Sequence, residues 1–187
     1  MSVEPAVLHL VCGKIAAGKS TLCAELAGRH RAVIIAEDDW LAALFADELA
    51  SLRDYVRCSA KLRSAMAPHV ATLLRAGMPV VLDFQANTRS GRAWIKGIAD
   101  MARADCKLHF LDTPDEVCLE RLRIRNKSGA HPFHVTEQQF HQITRHFEAP
   151  SSDEGFDTLL YGAGRPAGAL EGSEGEPHCK PAEILND

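Results

Sequence analysis

The chain has 187 residues, enough for one domain with a buried core of its own. Its 46% hydrophobic and 25% charged content is that of a globular protein, and a formal net charge of -4 gives no general attraction to nucleic acid or to an anionic membrane surface. The six cysteines (Cys12, Cys23, Cys58, Cys106, Cys118 and Cys179) are scattered without a C-x-x-C pair, which argues for reduced thiols rather than a disulfide framework. No uninterrupted apolar run is long enough to span a bilayer, and the first residues lack the basic start of a secretion signal. The expectation is a cytoplasmic protein.

In chain order, the residues from Ala6 to Cys12 form a short apolar run of strand length. Next comes Gly13-Lys14-Ile15-Ala16-Ala17-Gly18-Lys19-Ser20, followed by Thr21, which fits G-x-x-x-x-G-K-[ST] at every fixed position. Thr21 to Gly28 carries apolar residues at helical spacing, with the glycine as the expected stop. Strand, glycine loop and helix are the context this motif requires. Gly13 and Gly18 let the backbone curl so that successive N–H groups, those of Ala16, Ala17 and Thr21 among them, converge on phosphate oxygens. The helix N-terminus adds unpaired donors and partial positive charge. Lys19 supplies a full charge to the β- and γ-phosphates, and the Ser20 hydroxyl is a ligand for Mg²⁺.

Arg31 to Ala36 reads as a second buried strand, ending in Glu37-Asp38-Asp39-Trp40, with a helix from Leu41 that Asp38 or Asp39 is placed to cap. Residues 51–76 read as mostly helical, stopped by Ala76-Gly77-Met78-Pro79. Pro79 to Phe84 is a third strand with a carboxylate, Asp83, near its end, and Asn87-Thr88-Arg89-Ser90 opens a helix running to about Arg103. Cys106 to Leu111 is a fourth strand, and Asp112-Thr113-Pro114 starts a helix reaching about Arg125. A polar loop over Asn126 to Pro132, a helix from Thr136 to about Phe147 and a fifth strand over Asp157 to Tyr161 complete the pattern. From Gly162 onward no apolar period remains, so residues 1–161 are expected to form the domain and 162–187 a disordered tail. Strands alternating with helices predict an α/β fold, a parallel sheet with helices on both faces and ligands at the carboxyl ends of the strands, where Gly13, Asp38, Asp83 and Asp112 fall.

The helix after the fourth strand carries Arg121, Arg123 and Arg125, with Lys127 beyond; Arg121 and Arg125 share a face. A basic helix end running into a polar loop is suited to closing over a γ-phosphate as charge spreads on its oxygens. On these residues the chain resembles the small P-loop kinases over roughly residues 6–161. That group includes nucleoside monophosphate kinases, the kinase half of phage polynucleotide kinase, zeta toxins and chloramphenicol phosphotransferase. The resemblance implies a P-loop NTPase fold with a five-stranded parallel sheet of order 2-3-1-4-5 and a short lid, using ATP and Mg²⁺. It implies that Arg121 stacks on adenine and Arg125 reaches phosphate. Ala36-Glu37-Asp38-Asp39-Trp40 is similar to the Asp-Asp-aromatic segment of polynucleotide kinase, which makes Asp38 the base toward the acceptor hydroxyl. Asp83, with Gln85 and Asn87, is similar to the aspartate and amides after that family's third strand. Leu41 stands where polynucleotide kinase has an arginine, which weakens a nucleic-acid 5′ end as acceptor. The long lid of adenylate kinase is absent, leaving its work to the loop from Asn126 to Val135.

The expected mechanism has Asp38 (Asp39 being the neighbouring alternative) deprotonate the acceptor hydroxyl. Ser20, and Asp83 through water, hold Mg²⁺, while Lys19, Arg125 and Arg123 stabilise the transferring phosphoryl group. Arg53, Arg57 and Lys61 recur every four residues, and Arg53 and Arg57 are candidates for meeting an anionic acceptor; plain solvent exposure is the competing reading. His131, His134 and His141, with His178-Cys179, match no standard zinc spacing, and His131-Pro132-Phe133 is expected at the lid hinge. Trp40 and Trp94 read as core or pocket wall. The leading expectation is an ATP-dependent kinase acting on a small-molecule hydroxyl. The alternatives are a polynucleotide acceptor and a nucleotide-binding switch or regulatory ATPase, which needs neither the Asp38 base nor the arginine lid. No N-K-x-D element follows the fourth strand, which favours ATP over GTP.

Overall fold

The computed structural model describes residues 6–128 and 135–162. Five strands, β1 (Val7–Gly13), β2 (Val33–Ala36), β3 (Val80–Asp83), β4 (Asp105–Asp112) and β5 (Asp157–Gly162), form one sheet in the order β2-β3-β1-β4-β5. Every pairing is parallel. This is the order that the resemblance to small P-loop kinases implies. The helices are α1 (Lys19–His30), α2 (Glu37–Phe45), α3 (Leu52–Arg75), α4 (Arg89–Ala102), α5 (Asp115–Ser128) and α6 (Glu137–Thr144).

Side chains alternate across each strand, and β1, at the centre, is buried on both faces. Leu8, Leu10 and Cys12 join Val80, Leu82 and Leu108 against Leu62, Val70 and Leu74 of α3 and Ile95 and Ile98 of α4. On the other face Val11 and Val81 meet Leu22, Cys23 and Leu26 of α1, with Tyr161 of β5. His9 and His109 also point to that second face. His9 Nδ1 lies 3.0 Å from His109 Nε2, His109 Nδ1 lies 2.8 Å from the Tyr161 hydroxyl, and His30 stacks on His9. A third cluster of Ala17, Cys118, Leu122 and Phe140 fastens α5 and α6 to the glycine loop.

Several boundaries differ from the expected ones for local reasons. Helix α1 passes Gly28 and ends at His30, because Arg31 takes the left-handed conformation (φ 49°) and Ala32 N–H then reaches the Ala27 carbonyl. Helix α2 begins at Glu37, so Ala36 is the N-cap, and Asp38 and Asp39 lie inside its first turn rather than capping it. β2 therefore ends two residues before Asp38. Ser51 and Thr88 are the caps of α3 and α4, accepting from Asp54 and Gly91 N–H. Helix α5 starts one residue past Pro114 and continues through Ser128, so Asn126 to Ser128 are helical rather than loop. The Asn126 amide donates to the Val135 carbonyl and the Ser128 hydroxyl to the Arg125 carbonyl, which serves that last turn. Helix α6 is shorter than expected, closing at Thr144 after a Thr136–Gln139 capping box. Most of the expected lid, with His131 and His134, lies outside the described residues, as do His178, Cys179 and residues 163–187.

Arg92 of α4 is fully buried. Its Nε and Nη2 donate to Glu154 at 2.7 and 2.8 Å, and Nη1 donates to the carbonyls of Ala86 and Glu148. One guanidinium thus ties the segment after β3 to the chain entering β5. Among the described residues the cysteines are free, and no helix is long and apolar enough to cross a membrane.

Candidate active site

The register of the sheet brings its carboxyl ends level: Gly13 pairs with Leu111, and Ala36 with Asp83. The glycine loop leaves β1 at this edge. A Cβ on Gly13 would stand 3.1 Å from both the Leu111 Cβ and its carbonyl, and 3.2 Å from the Ala17 Cβ. Gly18 has φ 107° and Ala16 φ 59°, so two peptide units are turned by left-handed backbone, as a phosphate cradle of N–H groups demands. Lys19 folds back under the loop and donates to the Gly13 and Lys14 carbonyls at 3.0 and 2.9 Å. Burial pulls its pKa down, while the Asp83 carboxylate at the end of β3 acts in the opposite sense. Ser20 and Thr21 are exposed in the first turn of α1.

Helix α5 braces the loop from the other side. Arg121 Nη1 and the Thr113 hydroxyl both donate to the Ala17 carbonyl (2.9 and 3.3 Å), and Lys14 pairs with Asp115 at 2.5 Å. The loop geometry, the lysine and the Ser20 hydroxyl are the donor set that a nucleoside triphosphate with Mg²⁺ calls for.

The arginines of α5 divide by face. Arg121 lies beside Gly18, its Nη1 3.6 Å from where a Cβ would be. Arg123 turns away into an exposed ion pair with Glu137 of α6 at 2.6 Å. Arg125 is half-buried, its Nε makes no hydrogen bond among the described residues, and Asp38 is the charge that acts on it. Burial lowers the Arg125 pKa, and Asp38 opposes that shift. The Asp38 charge, in the first turn of α2, thus acts on Arg125 of α5, although the two lie far apart in the chain. Asp39 is exposed.

The structure adds a residue that no sequence motif marks. Glu37, buried at 2% exposure, is the first residue of α2. Its carboxylate accepts from Ser59 Oγ, from Arg63 Nε at 3.2 Å and from the Gln85 backbone N–H at 3.1 Å. Gln85 Nε2 in turn donates to the Tyr55 hydroxyl at 3.1 Å, and the Arg63 guanidinium lies 5.1 Å from the Trp94 ring centre. Burial pushes the Tyr55 phenol up, and the negative charges of Glu37 and Asp38 push the same way. Tyr55, Ser59 and Arg63 are four apart on α3, a face that the Arg53-Arg57-Lys61 stripe hid. Arg57 pairs with Glu48 and Asp54, Lys61 lies near the Phe45 ring, and Arg53 is exposed. Asn87 hydrogen-bonds through its carbonyl to Glu148 N–H, and its buried Oδ1 has no hydrogen-bond partner among the described residues. Trp94 walls this region, whereas Trp40 is 39% exposed.

Comparison with known proteins agrees with this architecture. A protein from Chloroflexus aurantiacus to which kinase activity has been ascribed superposes with a TM-score of 0.70 at 19% identity, over 86% of this chain and 87% of that one. The Mycobacterium tuberculosis APS kinase, solved with AMPPNP and APS, gives 0.62 at 20% identity, over 88% and 92%. A gluconokinase from Sinorhizobium meliloti gives 0.55 at 16% identity, over 89% and 87%. These likenesses establish the fold as that of P-loop kinases. No curated protein matches the chain in sequence. The family model described as an AAA domain matches residues 8–150, and the chain belongs to that family.

Proposed function

We propose that this protein is an ATP-dependent kinase that transfers the γ-phosphate to a hydroxyl of a small-molecule acceptor. The observation that carries the reading is that Lys19, in the glycine loop after β1, and Asp38, in the first turn of α2 directly after β2, both follow strands at the carboxyl edge of one sheet, with the Asp38 charge acting on Arg125. A base and a cation there serve group transfer, and a simple switch needs neither. APS kinase and gluconokinase, whose fold the chain shares, support it, as does the resemblance to zeta toxins and polynucleotide kinase.

In this mechanism Asp38 accepts the proton of the acceptor hydroxyl as its oxygen bonds to the γ-phosphorus, and the bond to the β–γ bridging oxygen breaks. ADP leaves with that electron pair. Lys19 exchanges its two loop carbonyls for phosphate oxygens, and Arg125, whose Nε is unspent, meets the charge developing on the phosphoryl group. Arg121 flanks the loop beside the nucleotide. Ser20, and Asp83 through water, would hold Mg²⁺, which neutralises phosphate charge when bound. Arg123 serves to join α5 to α6.

The test is ADP formation from ATP and Mg²⁺ with a panel of hydroxyl compounds. The reading requires at least one acceptor to raise turnover well above the water background, and Asp38→Asn to abolish the increase.

A further inference from the structure

Glu37 turns its charge inward. Its Oε1 takes Ser59 and Arg63 Nε, and its Oε2 takes the Gln85 N–H, so the carboxylate has spent its strongest acceptor directions on the protein. What remains around it is a set of donors. Arg63 is fixed at Nε by Glu37, at Nη2 by the Gln85 carbonyl at 3.4 Å, and by its stacking near Trp94. Its Nη1 makes no hydrogen bond among the described residues, and the side chain keeps 25% exposure. Gln85 Nε2 gives one proton to Tyr55 and retains another, while the Tyr55 O–H keeps its own. Glu37, which holds Arg63 and the Gln85 N–H, directly precedes Asp38 in the first turn of α2, so this donor edge lies beside the turn that carries the proposed base.

We infer that Arg63, Gln85 and Tyr55 form the acceptor-recognition site and that the acceptor is a small hydroxylated acid, carrying a carboxylate or phosphate that the guanidinium edge binds. A planar anion matches the Nη1–Nη2 edge through paired N–H···O bonds, and a neutral polyol leaves that edge without acceptors. Trp94 and Glu37 hold the guanidinium in place before ligand arrives, which reduces the ordering cost on binding. The inference rests on the kinase reading for the identity of the ligand as phosphoryl acceptor, and not for the anion site itself.

The experiment uses matched probes with the full chain: D-gluconate against D-glucitol, and D-glycerate and glycerol 3-phosphate against glycerol. Two readouts run in parallel. One is ADP formation, and the other is direct titration followed by tryptophan fluorescence with ADP and Mg²⁺ present. Expected is binding of at least one acid at least tenfold tighter than its neutral partner. Arg63→Met should erase that preference, Arg63→Lys should keep part of it, and Tyr55→Phe, which leaves the Glu37 ion pair intact, should weaken the acid severalfold. The KM for ATP should move less than twofold in each variant. If the acids bind through Arg63 but none raises ADP formation, the anion site stands and the kinase reading falls. If neutral and acidic partners behave alike, if none binds, or if Arg63→Met weakens both partners equally, the inference is overturned.

Discussion

The buried histidine chain predicts a specific acid sensitivity. Burial, with the charges of His30 and Lys107 adding to it, lowers His9 to about 4, and burial with His9, His30 and Lys107 lowers His109 to about 3. Both imidazoles are thus neutral in the folded protein at every pH above about 5. In the unfolded chain each returns to about 6.5 and takes up a proton as the pH falls below that value. The unfolded state then binds more protons, so stability is fully present above 6.5 and declines as the pH drops toward the folded values. At pH 5.5 each imidazole favours unfolding by about 1.4 kcal/mol relative to pH 7.5, or about 3 kcal/mol for the pair. That is a substantial share of the roughly 5–15 kcal/mol that holds a domain together, and corresponds to a fall in melting temperature of about 6–12 °C. Urea titrations at pH 7.5 and 5.5 would measure it, alongside the double variant His9→Gln, His109→Gln, whose amides can sustain part of the hydrogen-bond chain without titrating. Most of the pH-dependent loss should vanish in the variant. An equal loss in wild type and variant, or imidazole proton resonances of His9 and His109 that titrate near 6.5 in the folded protein, would refute the reasoning.

Other substitutions bear on the scaffold and the site. Arg92→Met should destabilise by about 2–4 kcal/mol, because the Glu154 carboxylate, its side chain only 5% exposed, loses its guanidinium partner and keeps only the Ser151 donors. Adding Glu154→Gln should recover part of that loss in a urea-unfolding cycle. Gly13→Ala should cost about 1–3 kcal/mol in stability, since its methyl meets the Leu111 backbone and Ala17, and should weaken fluorescent ADP binding at least tenfold. Arg125→Met should lower kcat by about 100-fold or more while leaving ADP affinity within threefold, and Arg125→Lys should restore a fraction of the loss.

The alternation of strands and helices and the glycine loop were legible because local rules dictate them, whereas the strand order came only from the resemblance to small P-loop kinases. Buried parallel strands leave apolar runs such as Val80 to Leu82, and the loop needs small residues and one lysine at fixed places. Helix ends were less legible. Gly28 looked like a stop, but Arg31 closes α1 at positive φ, a tertiary outcome that composition does not announce. The face of α3 toward the strand ends was the least legible. Arg53 and Arg57 form a charged stripe in the sequence, yet Arg57 is committed to Glu48 and Asp54. The face that approaches the strand ends carries Tyr55, Ser59 and Arg63, of mixed chemistry and therefore without a charge pattern. Glu37 was hidden by its two aspartate neighbours, although its place immediately after a buried strand was the available clue. Arg92 could be seen only once the chain entering β5 was in place, because its partner is 62 residues away.

Phosphoryl transfer with Asp38 as the proposed base is tested most directly by the acceptor-dependent rate of ADP formation in wild type and Asp38→Asn. The amide cannot take the proton, so acceptor-stimulated turnover should fall by about 100-fold or more with ADP binding retained. If no acceptor raises ADP formation above the water background, and the variant hydrolyses ATP as fast as wild type, Asp38 is only a residue of the first turn of α2 and the protein is not a kinase of this kind.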